Sequence, residues 1–351
     1  MNYESWGRYP KATPTDIYPV HWQHEDIPFS HWDQSVLPYG QGRSYGDVCL
    51  NDGGILLQTS PLQRFLSFNE ETGVLRCEAG TTFKDISDLI VPRGWFIPVT
   101  PGTQFVSLGG AVANDVHGKN HHRQGTFGCH VLQFCLLRSS GDRLLCSPTT
   151  HPELFRATIG GMGLTGLLVW VEIQLQRIQN PWMIVERKRF TSLEQFFDYS
   201  LQADQTHEYT VAWIDGLHRK PGIVRGSFIC GNHLSPSQPI PCNPKITNQA
   251  IYIPCDLPSF MLNPLFLRMF NSLYFHLTPK KPTTTFESYE KFFYPLDAIH
   301  HWNRLYGKKG FFQYQCVIPP PFEHEGITSI FKHIQQANQG SFLGVLKRFG
   351  T

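Results

Sequence analysis

At 351 residues, 41% of them hydrophobic and 17% charged, the chain is globular and long enough for about two cores, which excludes a disordered segment and a small disulfide-stapled module. Thirty Lys plus Arg against 28 Asp plus Glu leave a net charge of +2, too little for sequence-independent attraction to nucleic acid. Nine cysteines without a Cys-x-x-Cys pair, and a polar, aromatic start over residues 1–10 in place of an apolar leader, point to reduced thiols in the cytoplasm.

Residues 1–35, rich in Trp, His, Pro and Asp, lack periodicity and read as an irregular wrap. The run Gly40-Gln41-Gly42-Arg43-Ser44-Tyr45-Gly46-Asp47 follows. Its Gly-x-Gly-x-x-x-Gly spacing, with no helical pattern behind it, fails the dinucleotide fingerprint. It reads as a loop between strands whose N–H groups, with Arg43 and Ser44, suit a pyrophosphate; a plain glycine turn is the alternative. A strand is predicted over 74–78. A helix is predicted over 81–91, with Phe83, Ile86, Leu89 and Ile90 on one face before Pro92, then a strand over 95–99.

The segment 101–122 organises the rest. Gly102, Gly109, Gly110 and Gly118 give the main chain close approach to a bulky ligand, and Asn114, Asp115, His117, Lys119, Asn120, His121 and His122 supply hydrogen bonds and positive charge where an anion forms. Three histidines in six residues also suit zinc or iron, but His-x-x-x-His-His aims 117 and 121 together only on a helix that Gly118 weakens. No metal is expected.

Strands over 131–138 and 143–146 flank a Ser-Ser-Gly-Asp turn, a hairpin pattern, and a helix is predicted over 152–158. Gly160-Gly161-Met162-Gly163-Leu164-Thr165-Gly166 then enters a strand over 167–175. Beyond 177, strands over 183–186, 209–214, 222–229 and 311–317 alternate with helices, one over 191–201 opened by a Thr191-x-x-Glu194 capping box. That is the pattern of an antiparallel sheet covered by helices. Pro236, Pro239, Pro241 and Pro244 mark an exposed excursion. Residues 260–275 are unusually apolar and aromatic, with Lys280 and Lys281 behind them. Interrupted by Asn263, Pro264, Arg268 and Asn271, this run predicts a helix packed on the sheet or resting at a membrane surface, not one crossing a bilayer.

Together the 40–47 loop, the Gly109–Gly110 turn running into Asp115-Val116-His117-Gly118-Lys119-Asn120-His121-His122, and the 160–166 turn resemble FAD-binding oxidoreductases of the vanillyl-alcohol-oxidase type. The His-Gly-Lys-Asn-His-His string is most similar to that family's decaprenylphosphoryl-ribose oxidase branch, which serves arabinose-donor epimerisation for cell-wall polysaccharide. The resemblance covers nearly the whole chain. It implies an α+β flavoprotein of two domains, an FAD-binding domain over 1–176 and a substrate domain over 177–351. Gly40, Gln41, Gly42, Arg43, Ser44, Tyr45, Gly46 and Asp47 would wrap the pyrophosphate. Gly102, Thr103, Ser107, Leu108, Gly109, Gly110, Asn114, Asp115, Val116 and His117 would line the flavin and phosphates, with Leu168 near the adenine or ribose. Arg43 stands where many relatives carry the histidine that bonds covalently to FAD, so a dissociable cofactor is implied.

The resemblance further assigns Lys119, Trp213, Gln313, Gln315, Lys347 and Phe349 to the substrate, with His117 and Lys119 as candidates for proton handling. The implied reaction is oxidation of a secondary hydroxyl of a sugar, a polyprenyl-phosphate-linked pentose, as the 2′-oxidation step of an epimerisation that a short-chain reductase completes. An oxygen-using alditol or aldonolactone oxidase is the sibling reading, and a non-catalytic FAD-fold remnant the other. Peripheral membrane contact would accompany a lipid-linked substrate. The family pattern continues past Gly350 with more sheet and a returning segment bearing a lysine and a tyrosine near the flavin, so the chain is expected to be incomplete there and the activity of these 351 residues uncertain.

Overall fold

The computed structural model describes residues 3–218, 223–235, 251–258, 262–338 and 340–350; the prolines 236, 239, 241 and 244 lie outside them. Three short strands, β1 (Asp16–Pro19), β2 (Val36–Tyr39) and β3 (Ile55–Gln58), form a parallel sheet in the order β1-β3-β2. The 40–54 connection from β2 to β3 carries the first glycine loop. Its start is fixed by close approach: a Cβ on Gly40 would lie 2.4 Å from Ser107 Oγ, so only glycine lets the two loops touch.

β4 (Phe65–Asn69) and β5 (Val74–Glu78) lead into α1 (Phe83–Ile90) and β6 (Trp95–Phe96). α1 forms because Phe83, Ile86 and Ile90 bury one face and a Thr82–Asp85 capping box closes its first turn. The strand expected over 95–99 stops at Phe96. Pro98 removes a ladder donor, and its carbonyl is taken by Asn120 Nδ2 at 2.8 Å. The next elements are α2 (Leu108–Ala113), α3 (His121–Gln124), β7 (Val131–Leu137), β8 (Arg143–Cys146), α4 (Pro152–Thr158), β9 (Leu167–Gln174) and β10 (Gln176–Arg177). An antiparallel sheet runs β4-β5-β9-β7-β8. Central β9 feeds two cores, Leu168, Val171 and Ile173 joining α1 and α2, Leu167 and Val169 joining Leu57 and Leu62.

The remaining elements are β11 (Trp182–Phe190), α5 (Leu193–Thr206), β12 (Tyr209–Ile214), β13 (Gly226–His233), β14 (Ile251–Tyr252), α6 (Pro264–Leu277), β15 (Thr283–Ser288), α7 (Tyr289–Phe293), β16 (Ile299–His300), α8 (Glu323–Ala337) and β17 (Val345–Leu346). A second antiparallel sheet runs β15-β11-β13-β12-β17. The strand expected over 222–229 is β13, four residues later. The capping box expected at α5 does not form: the cap is Ser192, which accepts from Gln195 N–H, and Gln195 Oε1 accepts from Thr191 N–H at 2.9 Å instead of from the cap residue. The strand expected over 311–317 is absent. There Phe311 N–H donates to Gly7 O at 2.7 Å and Gln313 N–H to Tyr45 O at 3.0 Å, so the segment is held by the N-terminal wrap and the glycine loop and joins no sheet.

α6 meets the rest through a buried polar anchor. Asn271 Nδ2 donates to Asp215 Oδ1 at 3.1 Å, and Asp215 pairs with Arg225 at 2.8 Å. Among the described residues no helix is long and apolar enough to cross a membrane.

Candidate functional site

One cavity of about 2090 Å³ runs from the 40–47 loop to the edge strand β17. Along its first half lie every residue of the 40–47 loop, then Gly102, Thr103, Ser107, Gly109, Gly110, Asn114, Val116 and Leu168. Cβ atoms built on Gly46 and Gly102 would meet nothing within 4 Å, and one on Gly110 would meet only Ser107 Oγ; these bare backbones face open space. Gly109 differs, because its Cβ would strike Ala79 at 2.9 Å, so it serves helix-to-strand packing. Two expected wall residues turn away. Leu108 is fully buried in the core, and Asp115 Oδ1 accepts from Gly128 N–H at 2.8 Å, fixing the turn after α3.

Arg43 is the cation of the 40–47 loop. Its guanidinium lies over the Trp6 ring at 4.2 Å and the Phe105 ring at 5.2 Å, and its buried Nε has no hydrogen-bond partner among the described residues. A buried donor without a partner is costly, so it fits an anionic ligand.

At the other half three loops converge on His117. Lys347 Nζ lies 3.2 Å from His117 Nδ1 and donates to Gly118 O at 3.1 Å. Gln315 meets His117 Nε2 at 3.0 Å, and Gln313 meets Gln315 at 3.3 Å. Lys119 Nζ donates to Phe293 O at 3.1 Å and sits 5.3 Å from the Phe292 ring centre. Desolvation and the neighbouring Lys347 push His117 down to about 4. Desolvation first, then Lys347 and Arg187, brings Lys119 to about 7, and desolvation brings Lys347 to about 8. His117 is therefore neutral at pH 7. Gln315 turns its amide nitrogen to His117 Nε2, while its Oε1 accepts from Gln313 Nε2.

The histidines do not converge as a metal set would. His117 meets Gln315 and Lys347, His121 stacks on Phe349 with ring centres 3.9 Å apart, and His122 faces Asp204 at 3.6 Å. Trp213 closes the sheet side, its Nε1 donating to Phe342 O at 2.9 Å. Beside it Phe266, Phe270 and Tyr274 of α6 and Phe342 also line the cavity, Tyr274 with its ring centre 4.6 Å from that of Trp213.

A sequence profile of FAD-binding domains matches residues 30–147. Decaprenylphosphoryl-β-D-ribose oxidase of Mycolicibacterium smegmatis is 31% identical over 325 residues, covering 90% of this chain and 70% of that protein. The chain belongs to this family of FAD-dependent oxidoreductases. An uncharacterised Streptomyces coelicolor protein is 30% identical over 287 residues, 77% of this chain and 75% of its own. L-gulonolactone oxidase of Scyliorhinus torazame is 27% identical over 142 residues, only 40% of this chain and 32% of its own.

FAD is thus the cofactor of this α+β flavoprotein, and the cavity fits it: open glycine backbone at Gly46, Gly102 and Gly110 beside an Arg43 donor that lacks a partner. Two further groups carry weaker sequence signals, Asp297 behind the wall and Arg187 in it. Asp297 accepts from Gln104 N–H at 2.9 Å, and its charge faces Arg43; nothing in its local sequence marks it. Arg187 follows Met183 and Val185 on the inward alternation of β11 and binds Glu287 through both terminal nitrogens at 2.8 Å. A charge at a core-facing strand position was its available signal.

Proposed function

We propose that this flavoprotein oxidises a secondary hydroxyl of a polyprenyl-phosphate-linked pentose, the 2′-oxidation half of an epimerisation completed by a short-chain reductase. One observation carries the reading. Lys119 and Lys347, 228 positions apart in the chain, enter one cavity and among the described residues bond only to backbone carbonyls and a neutral histidine, while the same cavity is lined by aromatic side chains of α6. Two cations without a carboxylate partner among the described residues favour an anionic ligand, and the apolar lining favours its lipid tail. The relative named for decaprenylphosphoryl-β-D-ribose supports the same class.

In this reading the elements through residue 177 hold FAD without a covalent bond and those from 182 hold the sugar. The 40–47 loop and Arg43 take the pyrophosphate; Gly102, Thr103, Ser107, Gly110, Asn114 and Val116 take the flavin, and Leu168 the adenine end. FAD, when bound, supplies the hydride acceptor. Lys119 Nζ, near neutrality in its proton affinity, takes the hydroxyl proton. His117 is spent on two hydrogen bonds and acts by holding Lys347 and Gln315 in place. Lys347 keeps the positive charge, and Trp213 and Phe349 bound the sugar.

The test is anaerobic bleaching of the flavin absorbance. A prenyl-phosphoryl pentose should bleach it faster than xylitol or a galactonolactone, and Lys119→Ala should slow the former at least about a hundredfold. Faster bleaching by the neutral alditol or lactone, indifferent to Lys119→Ala, would move the protein to the sibling oxidases.

A further inference from the structure

The geometry points to a membrane-docking face on α6, fitted to a bilayer rich in anionic lipid. The helix carries three rows at fourfold spacing, apolar except for Asn271. Leu267, Asn271 and Phe275 are buried, and Phe266, Phe270 and Tyr274 line the cavity. Leu265, Met269 and Leu273 point outward, 62%, 63% and 61% exposed, with Leu277 beyond them at 72%. A helix apolar around most of its circumference belongs in an apolar surrounding, yet here only one row is covered. An exposed apolar strip of this kind marks an interaction surface.

Charge decides the occupant. The thirty residues 257–286 hold no Asp or Glu, and their charged residues are Arg268, Lys280 and Lys281. Behind the helix, Asp215 and Glu287 are buried and paired with Arg225 and Arg187. The stretch 257–286 therefore offers exposed apolar side chains and cations and no anion of its own, the combination that settles at the headgroup level of an acidic membrane. A protein partner would more often be met by mixed charge around an apolar centre. The same helix turns its second row into the cavity, so docking places the cavity mouth at the lipid surface. The role, though not the surface itself, rests on the lipid-linked substrate proposed above.

The test is flotation of the full chain loaded with FAD on phosphatidylcholine vesicles, with or without a third of phosphatidylglycerol. Wild type should float with the anionic vesicles at least about tenfold more than with the neutral ones, and Lys280→Gln/Lys281→Gln should bring the two close to equal. Met269→Glu/Leu273→Glu, away from the cavity lining, should abolish flotation while keeping the flavin spectrum and the far-ultraviolet circular dichroism of the parent. Wild type that stays at the bottom with both vesicles, or a Met269→Glu/Leu273→Glu protein that floats like its parent, overturns the proposal. So does a wild-type dimer that the same double substitution dissociates, which would assign the face to a second copy. Turnover of a short-chain, water-soluble prenyl-phosphoryl pentose is measured without vesicles. Lost flotation with intact turnover sinks only the docking face; flotation without turnover sinks only the substrate reading.

Discussion

Lys347 Nζ stands 3.2 Å from His117 Nδ1, which joins the edge strand β17 to the loop between α2 and α3 through a cation and a neutral ring. The pair fixes which group holds charge and which exchanges a proton. His117, already depressed to about 4, cannot compete with Lys119 for a proton at neutral pH. His117→Asn should keep one of the two hydrogen bonds and hence most of the sugar affinity, while His117→Ala should release Lys347 and Gln315 and raise KM more than it lowers kcat. A steady-state comparison of the two variants with the prenyl-phosphoryl pentose checks this. Equal kcat losses with unchanged KM would return His117 to the chemistry.

Lys119 also links stability to pH. Its folded pKa, about 7, lies below the unfolded value of about 10.4, so between these limits the unfolded state binds more protons and stability rises with pH. Below about 7 the desolvation penalty is present in full and constant. The slope from this one group is at most about 1.4 kcal/mol per pH unit. Urea unfolding of the apoprotein at pH 7 and at pH 9 should show the gain, and Lys119→Met should flatten it. An unchanged difference in the variant would mean that Lys119 is not desolvated in the fold.

Gly110 faces space that the cofactor needs. Gly110→Val should fold and lose FAD, because its side chain fills the cavity with only Ser107 Oγ beside it. Gln133→Ala, which removes a hydrogen bond to Glu172 at 2.8 Å outside the cavity, should keep full occupancy. Flavin per chain in the two purified proteins is the measurement, and equal occupancy would contradict the assignment.

Arg43 cannot form the bond that a histidine makes to FAD. Acid precipitation should therefore release all the yellow colour to the supernatant, and flavin remaining in the pellet would contradict a dissociable cofactor. Arg43→Lys, which loses the planar group lying over Trp6 and Phe105, should weaken FAD binding roughly tenfold or more.

The anchor beneath α6 should be among the costliest to cut. Arg225→Ala leaves Asp215 buried at 2% exposure without its partner, a loss of about 3 kcal/mol or more. Chemical denaturation would show it, and a change under about 1 kcal/mol would mean that water replaces the arginine.

Where structure followed from local pattern it was legible in the sequence. Helix α4 and strands β5 and β12 lie where alternation, proline and apolar spacing put them. Ser192 displaced Thr191 as the α5 cap because two adjacent hydroxyls both suit the role, and only the settled turn decides which one faces Gln195 N–H. The 311–317 segment has strand-like residues, but its hydrogen-bond partners, Gly7 and Tyr45, lie hundreds of positions away. The same distance hid Asp297 beside Arg43. In the site, the glycine loops announced a ligand through backbone freedom alone, whereas the neutrality of His117 depends first on its burial in the folded chain and then on Lys347, 230 residues along. Leu108 and Asp115 were drawn into the wall by their neighbours in sequence; a short helix sends one side chain to the core and a left-handed turn at Asp115 sends the other to Gly128.

The extended segment after Phe311 touches both halves of the cavity: Gln313 N–H holds the carbonyl of Tyr45, and two residues on, Gln315 meets His117. One strap thus spans the cofactor loop and the lysine site, and settling it at either end settles it at the other. Linkage then requires reciprocity, so whatever factor FAD adds to the affinity for a sugar ligand, that ligand must return to FAD. A bound substrate analogue should slow cofactor loss through a peptide segment that belongs to no sheet.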